Sequence, residues 1–351
     1  MTVLGDLLMA RIRATGPITL ADYMAECLLH PKHGYYTTRD PFGAAGDFTT
    51  APEISQMFGE LLGLCLAQCW LVQGAPTPFA LAELGPGRGT CMADILRATR
   101  AVPGFHAALS LHLVEASPTL RARQAQTLAP FAPVWHDRIT DLPQLPLFLI
   151  ANEFFDALPI RQFQRSGAGW RERMVGLKGD ALGFGLGPET RVAVLDSRLA
   201  DTTEGDVVEF CPLAGAIIAE VSSRIAQHGG LAMIIDYGGW PSRGDTFQAL
   251  KSNAHADAFA AQGAADLTAH VDFAALAEAS GLARAYTTQG ALLDRLGIGA
   301  RAARLAQGLS GARLQSHLAA ARRLTDDAEM GSLFKALVLY PAAYPPPPGF
   351  A

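Results

Sequence analysis

The sequence predicts an α/β protein built on a doubly wound, seven-stranded, mostly parallel sheet, with an N-terminal helical cap and helical insertions. Short apolar runs alternate with helical patterns along the chain, which is typical of β-α-β units. Several of these runs end in a carboxylate or a glycine turn, as parallel strands that lead into ligand-binding loops often do. A strand pattern at 333–340 follows a helical insertion near the end of the chain. That order favours one antiparallel strand in the sheet.

The composition is that of a folded protein with a large core. Half of the 351 residues are hydrophobic, and 28 basic against 33 acidic residues leave a net charge of −5. This balance gives no general electrostatic reason to bind nucleic acid or an anionic membrane. The sequence shows neither an apolar run of membrane-span quality nor a signal-peptide pattern at its start. We therefore expect a cytoplasmic protein without nucleic-acid binding or membrane insertion.

The chain has five cysteines, which are scattered along the sequence. We expect them to be reduced thiols and not disulfides. An odd number without paired spacing does not suggest a disulfide framework. Cys65 and Cys69 lie four residues apart in an apolar helix pattern, but no second ligand pair accompanies them. We interpret both as core residues and predict no metal site.

The pattern divides the chain into four regions. Residues 1–75 are mostly helical and are predicted to form a cap with a lid loop. Residues 76–290 carry the nucleotide-binding core, with a hairpin insertion at 160–195 marked by a glycine turn. Residues 291–330 form a helical insertion, and 331–351 supply the final strand and a proline-rich tail.

The stretch 79–90, FALAELGPGRGT, is the motif around which the chain is organised. An apolar run ends at Glu83, and glycines then alternate at Gly85, Gly87 and Gly89 before a helical pattern begins. Glycine leaves no Cβ between backbone and ligand and tolerates positive φ in a sharp strand-to-helix turn. The spacing differs from the G-x-G-x-x-G of dinucleotide-binding proteins, and no P-loop lysine follows.

Glu83 distinguishes between the candidate ligands. A carboxylate two residues before the first glycine would repel a pyrophosphate, but it suits a ligand that carries an ammonium group and a sulfonium. S-adenosyl-L-methionine (SAM) carries both, so we predict SAM as the cofactor. A tight structural turn is the alternative interpretation of the glycines. Carboxylates at later strand ends favour the functional interpretation.

Two of those carboxylates are candidates for binding adenosine. Glu115 ends the apolar run 111–115 and is predicted to accept both ribose hydroxyls. Its alternative role is a favourable charge in the N-cap region of the next helix. Asp137 follows the run 134–136 and is predicted to accept from the adenine amino group. A surface turn would explain Asp137 almost as well.

The stretch 152–159, NEFFDALP, is the candidate catalytic site. It follows a buried strand pattern, and substrates approach a doubly wound sheet at the carboxyl ends of its strands. Asn152, Glu153 and Asp156 are interleaved with two phenylalanines, which is typical of a partly dry pocket. Exposed turn acids are the alternative. We predict that these three side chains border the reacting methyl group.

A loop rich in glycine and aromatic residues precedes the nucleotide-binding unit. Asp47 and Phe48 have no evident structural role there, so we predict that they contact the cofactor as part of a lid. Thr50 and Glu53 then match a capping box. Glu53 is therefore either a helix cap or a ligand contact.

With these pieces in place, the chain resembles the MidA family of bacterial and mitochondrial methyltransferases, which includes a complex I assembly factor. The resemblance rests on GDFTTAPEISQ at 46–56, ELGPGRGT at 83–90, NEFFDALP at 152–159, IDYG at 235–238 and DLTAHVDF at 266–273. It implies a class I, Rossmann-like SAM-dependent fold and methylation of an arginine in a protein substrate. In the mitochondrial member that substrate is a core NADH dehydrogenase subunit. In a eukaryote the resemblance implies the mitochondrial matrix.

Methyl transfer from a sulfonium depends mainly on positioning and electrostatics. A guanidinium, whose pKa exceeds about 12, is a poor nucleophile. We predict that Glu153 and Asp156 grip its planar fork and direct one nitrogen toward the methyl group. Two alternatives stay open. One is a non-catalytic assembly or chaperone-like module that keeps the fold, and the other is a small-molecule methyltransferase with a closed apolar pocket.

Overall fold

The computed structural model describes residues 2–38, 49–252 and 254–350. The α-helices in these ranges are α1 Val3–Thr15, α2 Leu20–Leu29, α3 Tyr35–Thr38, α4 Ala51–Ile54, α5 Gln56–Val72, α6 Thr90–Ala98, α7 Phe105–Ala108, α8 Pro118–Thr127, α9 Pro212–His228, α10 Phe273–Ser280, α11 Gln289–Arg295, α12 Ile298–Leu305, α13 Gly311–Thr325 and α14 Met330–Leu333. None of these helices is long and apolar enough to cross a membrane.

The β-strands in the same ranges are β1 Ile18–Thr19, β2 Phe79–Leu84, β3 Leu109–Val114, β4 Val134–His136, β5 Leu147–Asn152, β6 Arg161–Ser166, β7 Gly169–Lys178, β8 Ala181–Thr190, β9 Val207–Phe210, β10 Gly230–Gly239, β11 Gln248–Lys251, β12 Ala254–Ala256, β13 Asp266–Thr268, β14 Val271–Asp272, β15 Ala283–Thr288 and β16 Phe334–Tyr340.

Seven strands form the central sheet in the order β15-β16-β10-β5-β2-β3-β4, and the two-residue β14 pairs with the end of β10. The strands from β10 to β4 are parallel, while β16 runs antiparallel between β10 and β15. The predicted seven-stranded sheet with one antiparallel member is therefore confirmed. Every residue of β2 and β5 is buried, because helices cover both faces of the sheet.

Two hydrophobic clusters cover the two faces of this sheet. Helices α5, α6 and α11 to α14 pack on one face, where Leu81 and Phe148 point. Helices α9 and α10 pack on the other, against Ala80 and Leu149. Neighbouring strand residues face opposite ways because the side-chain period of a strand is two. Helix α5 falls within the region 1–75 predicted as a cap, yet it belongs to the main core.

An antiparallel second sheet, in the order β1-β7-β6-β9 with β8 beside β7, supports helices α1 and α2. Strands β6, β7 and β8 occupy the region of the predicted hairpin insertion at 160–195. The sheet also takes in β1 and β9, which pair with β7 and β6. The sequence pattern does not predict these two strands, because runs of two and four residues are too short to show a clear alternation. Strands β11, β12 and β13 form a third, small sheet.

The parallel strands end together at one edge of the central sheet. Leu84, the last residue of β2, pairs in register with Val114 of β3 and with Ala151 of β5. Asn152 pairs in turn with Ile235 of β10. The loops that follow these strands therefore meet at one edge, which is where a doubly wound sheet binds its ligands.

Candidate active site

A cavity of about 960 Å³ opens at this edge of the sheet. Gly85, Gly87 and Glu115 line it at the ends of β2 and β3, and Glu153 and Asp156 line it after β5. Residues from α2, β11, β13 and α14 supply the remaining walls, most of which are apolar. The cavity thus joins part of the predicted cofactor site to two of the three predicted catalytic residues, Glu153 and Asp156.

The loop after β2 has the backbone geometry that requires glycine. Gly85, Gly87 and Gly89 have φ angles of +58°, +53° and +80°. These values lie in the left-handed region, which residues with a Cβ rarely adopt. A Cβ on Gly85 would lie 2.9 Å from Cδ2 of Phe154, so it would disturb the loop after β5 as well.

Two buried acceptors without partners lie beneath this loop. Oε2 of Glu83 and Oδ1 of Asn152 make no hydrogen bond with any described residue. Both side chains line a smaller cavity of about 40 Å³, together with Glu53 and Glu153. Burial raises the pKa of Glu83 to about 8. An unpaired buried acceptor costs about 1–3 kcal/mol, so these atoms fit the ammonium donors at the amino-acid end of SAM.

Glu53 contacts the glycine loop and does not complete a capping box. Thr50 is the N-cap of α4 but makes no side-chain cap bond, and the side chain of Ser55 caps α5 instead. Oε1 of Glu53 accepts from the Thr90 hydroxyl at 2.6 Å, and Oε2 lies 4.0 Å from Nη1 of Arg88. The capping-box prediction is therefore wrong here, because the carboxylate of Glu53 contacts Thr90 and the glycine loop and not the N-terminus of α4.

Glu115 lies at the end of β3 with its carboxylate already hydrogen-bonded. Oε1 accepts from the backbone N–H of Ser117 at 2.8 Å, and Oε2 accepts from Nε2 of Gln124 at 3.1 Å. Burial raises the pKa of Glu115 despite these donors. Ser117, not Glu115, is the N-cap of α8. Glu115 is therefore held in place, facing the cavity at the position predicted for ribose.

Gln124 is a site residue that the sequence analysis missed. It is fully buried, and Nε2 also donates to the carbonyl of Gly87 at 2.8 Å. Oε1 accepts from Nε1 of Trp135 at 2.9 Å, so the side chain joins the ends of three strands. The available signal was a polar residue midway between Leu120 and Leu128, which are spaced as the buried stripe of a helix.

Asp137 lies on the rim of the cavity, with 82 % of its side chain exposed. Its carboxylate accepts from Nη2 of Arg121 at 2.6 Å. Arg121 also donates to the carbonyls of Glu115 and His136. A contact with adenine stays a prediction for Asp137. The predicted lid residues Asp47 and Phe48 lie outside the described residues.

Asp236 fixes the loop that follows β5. This carboxylate is fully buried, and Oδ2 accepts from the backbone N–H groups of Phe154, Phe155 and Asp156 at 3.2, 3.0 and 3.2 Å. Oδ1 accepts from the N–H of Tyr237 at 2.9 Å. One side chain from β10 therefore organises the whole polar turn after β5. In the sequence, Asp236 stands out only as part of the motif IDYG at 235–238, which does not indicate this role.

Glu153 adopts an uncommon backbone conformation, with a φ of +50°. Oε1 accepts from the backbone N–H of Ala51 at 3.2 Å and from Nδ2 of Asn152 at 3.1 Å. Positive φ in a residue other than glycine costs energy and persists where the surroundings impose it. Glu153 is thereby held between the large cavity and the small one, both of which it lines.

The carboxylates Glu153, Asp156 and Asp236 form an acid cluster, in which burial and neighbouring acids raise the pKa of Glu153 and Asp236. Burial and the neighbouring Asp156 raise the pKa of Glu153 to about 7, and burial raises that of Asp156 to about 6. Burial, Asp156 and Glu153 all raise the pKa of Asp236. Within the described ranges, no arginine, lysine or histidine forms an ion pair with any of the three.

Tyr237 and Thr268 border this cluster; they lie in the motifs IDYG and DLTAHVDF, which predicted no individual role for either residue. Their hydroxyls and Oδ1 of Asp156 are buried without a hydrogen bond of good geometry to any described residue. All three residues line the large cavity. Burial and the nearby Asp156 raise the pKa of Tyr237. Hydrogen bonds in an empty active site are often poorly aligned and tighten when substrate binds.

The fold and the glycine loop define a class I, SAM-dependent methyltransferase. A family model described as "Putative S-adenosyl-L-methionine-dependent methyltransferase" matches residues 61–292. The chain belongs to this family.

Relatives and a solved structure agree with this assignment. The human "Protein arginine methyltransferase NDUFAF7, mitochondrial" is 42 % identical over 77 % of this chain and 67 % of its own length. The protein of the same name from Xenopus tropicalis is 37 % identical over 98 % and 88 %. A Burkholderia thailandensis protein crystallised with S-adenosyl-homocysteine is 32 % identical, with a TM-score of 0.85 over 99 % of this chain and 94 % of that one.

This protein is therefore an enzyme that uses SAM, and the predicted cofactor and reaction type are confirmed. The non-catalytic alternative is set aside. The roles of individual site residues stay predictions, because the comparisons do not test them.

Proposed function

We propose that this enzyme methylates an arginine side chain of a protein substrate. The observation that carries the proposal is the acid cluster of Glu153, Asp156 and Asp236, with which no arginine, lysine or histidine of the described ranges forms an ion pair. A guanidinium is a planar cation with five N–H donors, so it matches such a cluster in both charge and hydrogen bonding. The names of the human and Xenopus tropicalis relatives support the same acceptor.

The residues of the chain would act mainly by positioning. Asp236 holds three consecutive N–H groups of the loop after β5 and so fixes the direction of Asp156. The N–H of Ala51 and the amide of Asn152 hold Glu153. Groups that are oriented before substrate arrives stabilise developing charge without further reorganisation.

Bound SAM supplies a methyl group on a sulfonium. As the acceptor nitrogen forms its bond to the methyl carbon, the carbon–sulfur bond breaks with its electron pair on sulfur, and the acceptor loses one proton. Glu153 and Asp156, with pKa values of about 7 and about 6, are suited to bind the guanidinium when ionised and to receive that proton. Their negative charge also offsets the repulsion between two cations.

The partner in this proposal is a protein, with a core subunit of NADH dehydrogenase as the first candidate on the strength of the family resemblance. The reaction would take place in the cytoplasm, or in the mitochondrial matrix of a eukaryote. Leu29 and Leu333, both about half exposed, lie on the cavity wall and offer apolar contacts to residues beside the arginine.

One observation favours a small-molecule acceptor as a second candidate. Most of the cavity lining is apolar, as expected for an enzyme that encloses a small substrate. The acid cluster at the end of the cavity favours a cationic group, whether it belongs to a protein or to a small guanidine or amine.

The test is label transfer from methyl-labelled SAM to a library of peptides that each contain one arginine. A matched library carries lysine in place of arginine. We expect label in the arginine library only, and a loss of about 100-fold or more in the Glu153→Gln, Asp156→Asn double variant. S-adenosylhomocysteine affinity should be retained. Asp196→Asn, at an exposed surface ion pair, is the control.

Label in lysine peptides, or in small amines but no peptide, would contradict the arginine assignment. Full activity of the double variant would contradict the role of the two carboxylates.

A further inference from the structure

We infer that Arg323, in the helical insertion, binds the carboxylate at the amino-acid end of SAM and so couples that insertion to cofactor binding. The inference rests on SAM as the cofactor and not on the identity of the methyl acceptor. It concerns helix α13, which lies outside the segment 61–292 matched by the family model.

The first observation is the position of Arg323. Helix α13 packs against α4, the short turn that carries Glu53 toward the glycine loop. Arg323 lines the large cavity together with Gly85 and Glu153. A residue from the last turn of α13 therefore reaches the same space as the loop after β2 and the loop after β5.

The second observation is the charge balance at this end of the site. Glu53, Glu83 and Glu153 all line the small cavity beneath the glycine loop. Glu53 and Glu83 suit the ammonium group of SAM, but all three carboxylates would repel its carboxylate. A buried charge needs a partner of opposite sign or strong hydrogen bonds. The carboxylate of SAM therefore needs a cation that the acids have not already taken.

Arg323 meets this requirement among the described residues that line the two cavities. Its guanidinium forms no hydrogen bond or ion pair within the described ranges. Arg88 already lies 4.0 Å from Glu53. Arg138 lies beside Asp137, on the opposite side of the cavity where β4 ends. Burial and Asp156 raise the pKa of Glu153, and the positive charge of Arg323 opposes part of that rise, so its field reaches the site.

The helix itself offers a simpler role for Arg323, and the chain provides a control for it. Arg322 and Arg323 both lie in the last turn of α13, where a cation interacts favourably with the helix dipole. Both are exposed, but only Arg323 lines the cavity. A role in the dipole alone would make the two arginines equivalent.

The experiment is calorimetric titration of the full-length protein with two ligands. S-adenosylhomocysteine carries the carboxylate, whereas 5′-methylthioadenosine keeps the adenosine and the thioether but lacks the amino-acid end. We expect Arg323→Gln to weaken S-adenosylhomocysteine binding about 10-fold to 100-fold, the range for loss of a charged hydrogen bond. Binding of 5′-methylthioadenosine should stay unchanged. Arg322→Gln should change neither affinity, and Arg323→Lys should recover part of the loss.

Equal weakening of both ligands, or weakening of neither, would overturn the inference. So would an Arg322→Gln variant that matches Arg323→Gln. Because 5′-methylthioadenosine binding reports an intact fold and adenosine site, a misfolded variant would be recognised, and Arg323→Lys then provides the decisive comparison. These results do not depend on whether arginine peptides are methylated, so the two proposals can fail separately.

Discussion

The carboxylates in the two halves of the cavity differ in whether their oxygens already accept hydrogen bonds. On the side where β3 ends, the oxygens of Glu115 already accept from Ser117 and Gln124. On the side where β5 ends, Oδ1 of Asp156 has no hydrogen-bond partner among the described residues, and Glu153 and Asp236 add negative charge beside it. Among the described residues, the carboxylate of Glu115 has its hydrogen-bond donors, whereas several polar atoms in the β5 half have none.

The difference shows how one site can bind a constant ligand and a reacting one. If Glu115 binds the ribose as predicted, its fixed donors let it present its remaining lone pairs with little reorganisation. Unpaired acids in a dry pocket are costly until a cation arrives, so their binding energy becomes available near the reacting atoms. We expect substitutions in the first half to change cofactor affinity and those in the second to change turnover.

The largest effect should follow from Asp236→Leu. This change removes the acceptor of four backbone N–H groups and places a bulkier side chain in a fully buried position, and each unpaired buried donor costs about 1–3 kcal/mol. We expect the free energy of unfolding to fall by more than about 3 kcal/mol and turnover to fall by about 100-fold or more. Urea unfolding and label transfer measure the two quantities.

The control for Asp236→Leu is Asp206→Leu, which removes an exposed acceptor of the Thr203 N–H and should change stability by less than about 1 kcal/mol. An equal loss of stability in both variants would mean that the hydrogen bonds of Asp236 do not hold the loop after β5.

The next effect concerns the adenosine half. Glu115→Gln replaces one oxygen with a donor that cannot accept from Gln124 or Ser117. We expect the dissociation constants of both S-adenosylhomocysteine and 5′-methylthioadenosine to rise about 10-fold to 100-fold, because both ligands carry the ribose. Calorimetry measures them. A loss confined to S-adenosylhomocysteine would place Glu115 at the amino-acid end instead.

A smaller effect should appear in the pH dependence of cofactor binding. Glu83, Glu153 and Asp156 have pKa values of about 8, about 7 and about 6, all raised by burial. As pH rises through these values the acids ionise, and a positively charged ligand gains more than a neutral one. The affinity ratio of SAM over S-adenosylhomocysteine should therefore increase between pH 6 and 8. A constant ratio would show that the acids do not face the sulfonium.

The same raised pKa values lower the stability of the ligand-free protein as pH rises. Because the folded state holds these protons more tightly than the unfolded chain does, the associated stability is present at about pH 4 and is lost as pH rises through about 8. Urea unfolding of the empty protein at a series of pH values checks this direction.

The smallest effect should come from Asp137→Asn. The side chain is 82 % exposed, and an exposed ion pair such as that with Arg121 contributes less than about 1 kcal/mol. We expect a change of less than about 5-fold in S-adenosylhomocysteine affinity. A loss as large as that of Glu115→Gln would instead support the predicted adenine contact.

Local pattern was sufficient to predict most of the central sheet. Several features can each be recognised within a short stretch of sequence. They are the apolar runs of β2 and β5, the glycines between β2 and α6, and the acid at Glu115. A parallel sheet brings the ends of such runs to one edge, so the position of the site followed from the order of the strands. The same argument placed Asn152, Glu153 and Asp156 beside the cavity.

The residues that were missed depend on long-range register. Asp236 can organise the loop after β5 only because Ile235 pairs with Asn152, and no local signal marks that pairing. Thr268 reaches the cavity from a separate small sheet. Gln124 crosses from α8 to the glycine loop. The capping-box prediction failed for a related reason, since Thr90 and the glycine loop compete for Glu53.

The position of β16 has a consequence for the order in which the site is assembled during synthesis. This strand, at Phe334–Tyr340, lies between β10 and β15, which come earlier in the chain. On a ribosome, both neighbours emerge with open hydrogen-bonding edges and stay exposed until β16 follows. The loop held by Asp236 depends on β10 being seated. A nascent chain should therefore acquire its glycine loop early and its methyl-acceptor site only near the end of translation.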